Sequence, residues 1–315
     1  MFIARCIGIS LALFLLLYVP ISLAISRGWE LLRRLFALPT ARGSATLLLA
    51  LRLFPFVLAS VFTLAFTLPS FLLLEPRATD EAVGAAPLIL GLGCLGLLLG
   101  GILQAASAQV RTSRALLKWL NGSTMLESED AIPVFRTIQG TPSLTVAGVR
   151  EPKVLVSEAV IAALTPPELR TALKHEMAHA RSYDNLKKLL FRFSAFPGMA
   201  GLETAWSEQC ELAADDAAVS SSRDALDLAS ALIKVSRLST LGPRGTLSTG
   251  LLHSSTALGE RVQRLVSWGK DKPAAPGSRY WLYTLPSLAG TLFLVVVTYG
   301  SVLTGLHQVT EWLVR

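Results

Sequence analysis

Cysteine is scarce in this chain: Cys6, Cys94 and Cys210 are the only three among 315 residues. No two of them have metal-ligand spacing, and a cytosolic domain would keep them reduced, so cysteine encodes no site. Charge is scarce as well. Acidic and basic residues make up 16% of the chain, against about 25% in ordinary soluble proteins. With 52% hydrophobic residues and a mean hydropathy of +0.52, that shortage excludes an ordinary soluble globule. There is no internal repeat and no low-complexity tract, which argues against a solenoid. Histidine is the fourth scarcity, with four in all, and their placement matters below.

What is present is apolar and unevenly spread. Three stretches, about 2–25, 52–74 and 85–106, and a fourth within 280–315, reach the roughly 20 residues that cross a bilayer. The segment between them, 109–279, carries 38 of the 51 acidic and basic residues and has room for one compact domain. The expected layout is therefore three transmembrane helices in 1–108, a globular domain in 109–279, and a fourth transmembrane helix with a short tail in 280–315. The first stretch also has the alternative of a cleaved signal peptide with Arg5 in its basic region. Its length, its basic flank and its lack of a small-x-small cleavage site favour a retained span.

The net charge of +7 invites a nucleic-acid reading, but its distribution points to topology. The first connection holds Arg27, Arg33, Arg34 and Arg42 against Glu30, and the second holds Glu75, Asp80 and Glu81 against Arg77. Lys and Arg near span ends mark the cytoplasmic side. The first connection and the globular domain are thus expected in the cytoplasm, in a multi-pass protein of a bacterial-type inner membrane. Its surroundings would be the lipid bilayer, with no nucleic-acid partner. Arg52, at the cytoplasmic end of the second span, is expected to snorkel to the interface. The Gly-rich run 91–101 offers small faces for helix–helix packing.

Inside the domain, 109–120 reads as a basic amphipathic continuation of the third span. The runs 133–138, 143–146 and 153–157 are short and β-branched, broken by Gly140-Thr141-Pro142 and Arg150-Glu151-Pro152, and read as a small sheet. Thr165-Pro166-Pro167-Glu168 has the features of a helix start: a capping Thr, Pro in the first turn and Glu three residues on. That helix is expected to run to about residue 196. Further helices are expected over 202–219, 224–238 and 260–268, separated by a Gly-, Ser- and Thr-rich loop at 239–259.

Half of the histidines fall in His175-Glu176-Met177-Ala178-His179. Residues i and i+4 share a helical face, so both imidazoles can reach one cation, while Glu176, turned about 100° away, can serve a water without ligating. The chemistry indicated is zinc-assisted peptide hydrolysis, with two solvated histidines as the bland alternative. Catalytic zinc takes three protein ligands. The third has four candidates: Glu211, Glu208, Cys210 and His253. Glu211 is favoured because Asp215 shares its helical face and can hold an imidazole N–H while Glu211 ligates. Exposed acidic residues on a solvated helix are the alternative.

The His175–His179 motif, Asp184 five residues later, and Glu211-x-x-x-Asp215 with Ala214 before the Asp resemble the gluzincin metallopeptidases. The stretch 152–157, the Leu-Thr-Pro-Pro-Glu-Leu helix start, the run 211–218, Arg261-Val-Gln-Arg264-Leu265 and the order of three spans, zinc domain and fourth span are similar to BlaR/MecR-type membrane peptidases. The resemblance implies an α+β gluzincin-like domain with a small sheet and active-site helices, anchored by about four transmembrane helices. It implies Zn2+ held by His175, His179 and Glu211, and Glu176 as general base. Asp215 would support the ligands without touching the ion, and Asp184 would do the same or serve structure alone. On residue spacing, Asp184 has a plainer alternative as an i,i+4 partner of Lys188. The strand 153–157 looks like the family's substrate-side edge strand, which would pair with an extended peptide. Sensor members carry an extracellular penicillin-binding domain after the last span, whereas this sequence ends at Arg315, so a stand-alone form is expected.

The expected activity is a membrane zinc endopeptidase acting on a protein or peptide substrate: a transcriptional repressor, a membrane protein, or the chain itself. Oxyanion help beyond the metal has three unranked candidates, His253, Tyr183 and Arg261; His307 is excluded by topology. Charges around His175 argue against an intramembrane protease. The 32 residues from His179 to Glu211 argue against plans that thread further spans between them. Two alternatives stay open: another membrane gluzincin acting in membrane-protein quality control, and a non-catalytic membrane signalling or scaffold subunit. The intact Glu176 speaks against the scaffold.

Overall fold

The computed structural model describes residues 2–35, 40–74, 84–126, 131–137, 144–238, 248–250, 255–268, 298–305 and 308. The described residues fall into two compact units, one within Met1–Gly28, Leu53–Gly100 and Ala274–Arg315, the other within Trp29–Arg52 and Gly101–Pro273.

Helices dominate. α1 (Phe2–Leu35), α2 (Ala41–Phe62), a π-helical turn (Thr63–Thr67), α3 (Leu68–Leu74) and α4 (Ala85–Leu120) make up the apolar part. Among the described residues, three helical stretches are long and apolar enough to cross a membrane: Phe2–Leu35, Ala41–Leu74 and Ala85–Leu120. The expected fourth span lies mostly outside the described residues; 298–305 are helical. Within the first unit the helices pack through aromatic and small residues. Phe14, Tyr18 and Phe56 stack edge to face or tilted, with centroids 5.6–6.0 Å apart. A Cβ on Gly91 would meet the carbonyl oxygen of Gly8 at 2.9 Å, so only glycine permits that approach. The Gly-rich run packs helices as its composition suggests.

In the second unit, α4 leads into a five-stranded mixed sheet of order β1-β2-β4-β3-β5, made of β1 (Thr124–Leu126), β2 (Val134–Thr137), β3 (Leu144–Ala147), β4 (Lys153–Ser157) and β5 (Ser248–Gly250). The three expected strands are present. β1 and β5 are additions, too short for any alternation to announce them. β2 pairs parallel with β4, and β3 lies antiparallel to β4 and to β5. The strand 153–157 is therefore central, bonded on both sides, and is not an edge open to a peptide. Its burial follows: Val154, Leu155 and Val156 are fully enclosed, as continuous β-branched runs in doubly covered strands are.

Behind the sheet come α5 (Glu158–Ala163), α6 (Pro166–Arg181), α7 (Asp184–Phe193), α8 (Ala200–Ala218), α9 (Ser222–Leu238) and α10 (Ser255–Val266). The expected capping box opens α6: Glu168 Oε2 accepts from the Thr165 amide at 2.8 Å. Burial pushes the Glu168 carboxyl up, but Lys234 at 2.7 Å and Ser230 outweigh it and bring it down to about 2. One hydrophobic core joins Val146, Val154, Ala172, Met177, Leu228 and Leu232, so sheet, α6 and α9 share a single interior. α6 does not run on to residue 196. It ends at Arg181, and Tyr183 takes a left-handed conformation (φ 54°, ψ 40°) before α7 begins. For a non-glycine residue that costs on the order of 1–3 kcal/mol. The reason for the break appears in the site.

Arg52 also differs from expectation. Rather than snorkelling, it is buried at 1% exposure, donating to Glu203 Oε1 (2.7 Å), Ser194 Oγ (3.2 Å) and the Phe191 carbonyl (3.0 Å). A guanidinium that finds three protein acceptors has no reason to seek water.

Candidate metal centre

α6 carries His175 and His179 on one face, and α8 packs across it, presenting Glu211. Ala214 and Ala218, both buried on α8, allow that close approach. The two Nε2 atoms face each other at 3.1 Å, and the Glu211 oxygens stand 3.6 Å from each of them. All three side chains are buried, at 0%, 2% and 2% exposure. Three donor atoms can thus be chosen that lie within 4.8 Å of one another.

The imidazoles are oriented from behind. Asp215 Oδ1 lies 2.9 Å from His175 Nδ1, and Asp184 Oδ2 lies 2.8 Å from His179 Nδ1. With each Nδ1 facing a carboxylate, the Nε2 lone pairs turn toward one another and toward Glu211. Two lone pairs at 3.1 Å repel unless a cation or a proton lies between them. The carboxylate at 3.6 Å is too far to hydrogen-bond either ring. The three donors therefore converge on a point rather than on each other. Tetrahedral zinc with bonds of about 2.0–2.1 Å separates its ligand atoms by about 3.3 Å; the two Nε2 atoms stand 3.1 Å apart, and Glu211 offers Oε2 at 3.6 Å from His175 and Oε1 at 3.6 Å from His179. The residues present fit zinc.

Asp184 explains the broken helix. On a straight helix, positions 179 and 184 would point about 140° apart. The left-handed turn at Tyr183 swings α7 so that the Asp184 carboxylate meets His179. Lys187 holds its other oxygen at 2.9 Å. Asp184 is thus a support of the site.

Arg261 of α10, one of the three unranked oxyanion candidates of the sequence, meets the acids instead. It donates from Nε and Nη2 to the two oxygens of Asp215, at 2.8 and 2.7 Å, and from Nη1 to Glu211 Oε2 at 2.9 Å. Both carboxylates are held in one bidentate-plus-one clamp, which fixes them and keeps them ionised. Its role is to hold Glu211 and Asp215; its donors are committed to them rather than to an incoming carbonyl. The visible signal was the arginine pair Arg261 and Arg264, but only tertiary contact could show which acids they meet. Arg264 takes Asp216 at 2.6 Å, on the exposed side.

Electrostatically the site is a hole for positive charge. Glu176, Asp184, Glu211 and Asp215 are all buried, against Arg261 as the buried guanidinium. Burial pushes the His179 imidazole down, but Glu211 and Asp184 outweigh it and raise it to about 10. Burial pushes the Glu211 carboxyl up, yet the adjacent imidazoles and Arg261 hold it well below the usual range. Glu176 differs from the rest. It is completely buried, neither carboxylate oxygen has a hydrogen-bond partner among the described residues, and burial pushes it up to about 7. A buried carboxylate without a hydrogen-bond partner beside these residues costs free energy, and packing alone does not account for it.

Of the other candidates for third ligand, Glu208 is exposed and Cys210 is buried outside the cluster. His253 lies outside the described residues, as does His307. Tyr183 is half exposed at the helix break. Neither family models nor curated proteins give a match to this sequence.

Proposed function

We propose that the chain is an integral-membrane zinc endopeptidase of the BlaR/MecR-like plan, with its catalytic domain on the cytoplasmic side. The observation that carries this reading is the convergence of His175, His179 and Glu211 beside an unpartnered Glu176. A structural zinc site would close on its ligands and would have no use for that carboxylate. The basic first connection, with Arg27, Arg33, Arg34 and Arg42, supports the cytoplasmic side. His175, His179 and Glu211 would hold the metal.

When bound, zinc supplies Lewis acidity to a water and to the scissile carbonyl. Glu176 takes a proton from the attacking water and passes it to the leaving amine. A carboxyl raised to about 7 by burial suits both halves of that exchange near neutral pH. Asp184 and Asp215 keep both rings in the tautomer that presents Nε2, and Arg261 keeps Glu211 and Asp215 ionised and fixed.

Glu176→Gln keeps the shape and removes the base. It should retain full zinc and lose proteolysis by at least about a hundredfold. Metal analysis of the purified variant beside a casein-cleavage assay decides it, and wild-type cleavage by Glu176→Gln would end the assignment.

A further inference from the structure

Asparagine occurs twice in the 315 residues, at Asn121 and Asn185. Asn121 is exposed in the turn after α4, whereas Asn185, in the first turn of α7, is 4% exposed. Its Nδ2 donates to the carbonyls of Val146 and Gly148, each at 3.1 Å, so both amide hydrogens are used. The Val146 carbonyl lies on the outer edge of β3. Val154 of β4 gives its N–H to the Pro133 carbonyl on the β2 side, so Val146, paired with Val154, turns its own polar groups away from β4. Gly148 (φ 99°) is fixed as well: a Cβ there would meet the Glu151 carbonyl oxygen at 2.6 Å. Asn185 Oδ1 is buried with no hydrogen-bond partner among the described residues. An orphaned acceptor is costly, and packing alone would be served by leucine, which has the same branched skeleton and no polar atom. The two donors are what require asparagine here.

Asp184, the residue before it, is the one whose carboxylate meets His179 Nδ1 at 2.8 Å. Tyr183, one further back, holds its left-handed conformation (φ 54°, ψ 40°), which survives only where the surroundings over-determine it. Asn185 supplies that constraint from the sheet side: it pins the start of α7 to a strand that is itself paired on both edges. Resting on the zinc part of the proposed function, we propose that Asn185 is a positioning residue for the metal. Tied to β3, it holds the helix break so that Asp184 stays behind His179 and the ring keeps Nε2 turned toward Glu211. Its own bonds go to β3 rather than to the ligands, and it acts through Asp184.

The test uses the full chain in detergent micelles, with zinc affinity read by chelator competition. Asn185→Leu, which keeps the branched shape and removes the donors, should weaken zinc binding about tenfold. Asn185→Asp, equal in size but without N–H groups, should weaken it at least as much. Asp184→Ala should weaken it by about tenfold or more. In the Asp184→Ala background, Asn185→Leu should change zinc affinity by less than about twofold, because the residue through which it acts is gone. A second readout needs no change at Asn185. With ¹⁵N-labelled asparagine the chain shows two side-chain amides, and that of Asn185 should exchange with solvent far more slowly than that of Asn121. Coupling is reciprocal, so Asp184→Ala should speed exchange of the Asn185 amide by the same factor of about ten. Wild-type zinc affinity in Asn185→Leu, losses that multiply in the double variant, or an Asn185 amide indifferent to Asp184→Ala overturns the inference. Zinc binding that still depends on Glu211 then leaves the metal site and the peptidase reading standing. A wild type whose zinc affinity ignores Glu211→Ala overturns the zinc reading and this inference together.

Discussion

The two units of this chain solve opposite solvation problems. In the first, apolar side chains such as Ile3, Leu64, Leu73 and Ile89 face outward, and the interior is knit by aromatic rings and by glycine approach at Gly8–Gly91. In the second, the interior holds Val154, Leu228 and Leu232 together with five buried carboxylates, two imidazoles and two guanidiniums. The buried polar side chains described in the first unit are Arg5, Ser10, Ser22, Thr67 and Ser70, with no carboxylate among them. The other spends its hydrophobic core on enclosing charge. The comparison teaches that packing and buried charge are segregated along the chain: among the described residues the first unit holds no cluster able to bind a metal, and the second gathers its buried acids around His175 and His179.

The sharpest test of that segregation removes the proposed third ligand. Glu211→Ala should lower zinc affinity by at least about a thousandfold, leaving a two-histidine site with an unpaired Arg261, whereas Glu208→Ala should leave it within about twofold. Competition with a chelator measures both, and equal effects would move the ligand elsewhere.

Next in size is pH. The metal-free His179 is raised to about 10, so below that pH an incoming ion displaces its proton. Apparent zinc affinity should rise with pH, by about tenfold per unit for each proton displaced. The folded-state pKa lies above the ordinary histidine value of 6.5. The zinc-free protein therefore has the full contribution of this group below about pH 6.5 and loses it as pH rises toward 10. Zinc should consequently raise Tm more at pH 8.5 than at pH 6.5. Calorimetry at both values decides it, and a zinc-induced gain that shrinks with pH would break the account of the site as a hole for positive charge.

Smallest at the site, though not for its own unit, is Gly91→Leu. The added side chain meets the Gly8 carbonyl and should cost the helices about 1–3 kcal/mol, with zinc stoichiometry unchanged. Unfolding in mixed micelles, followed with metal analysis, checks it. Zinc lost in parallel would mean that the units are not segregated as described.

Much of this was legible in the residues. The capping box at Thr165–Glu168 and the His175/His179 face follow from local periodicity, which needs no knowledge of the rest of the chain. Glu211 and Asp215 were favoured by their shared face, and both arrive where that face points. Other features escaped. β5 pairs with β3 through backbone groups that no side-chain pattern marks. The centrality of β4 depends on which strands flank it. The break at Tyr183 looks like continuous helix until Asp184 is required by His179. Arg52 reads as a snorkelling residue until Glu203, 151 positions away, supplies an acceptor.

The sequence alone determined the apolar stretches, the helix bearing the histidine pair and the acids available to it, because these rest on interactions among near neighbours. The tertiary structure alone decided which carboxylate stands behind which ring, that Arg261 clamps Glu211 to Asp215, and that Asn185 ties α7 to β3. Those are contacts between distant residues, fixed by packing geometry that no local pattern of residues records.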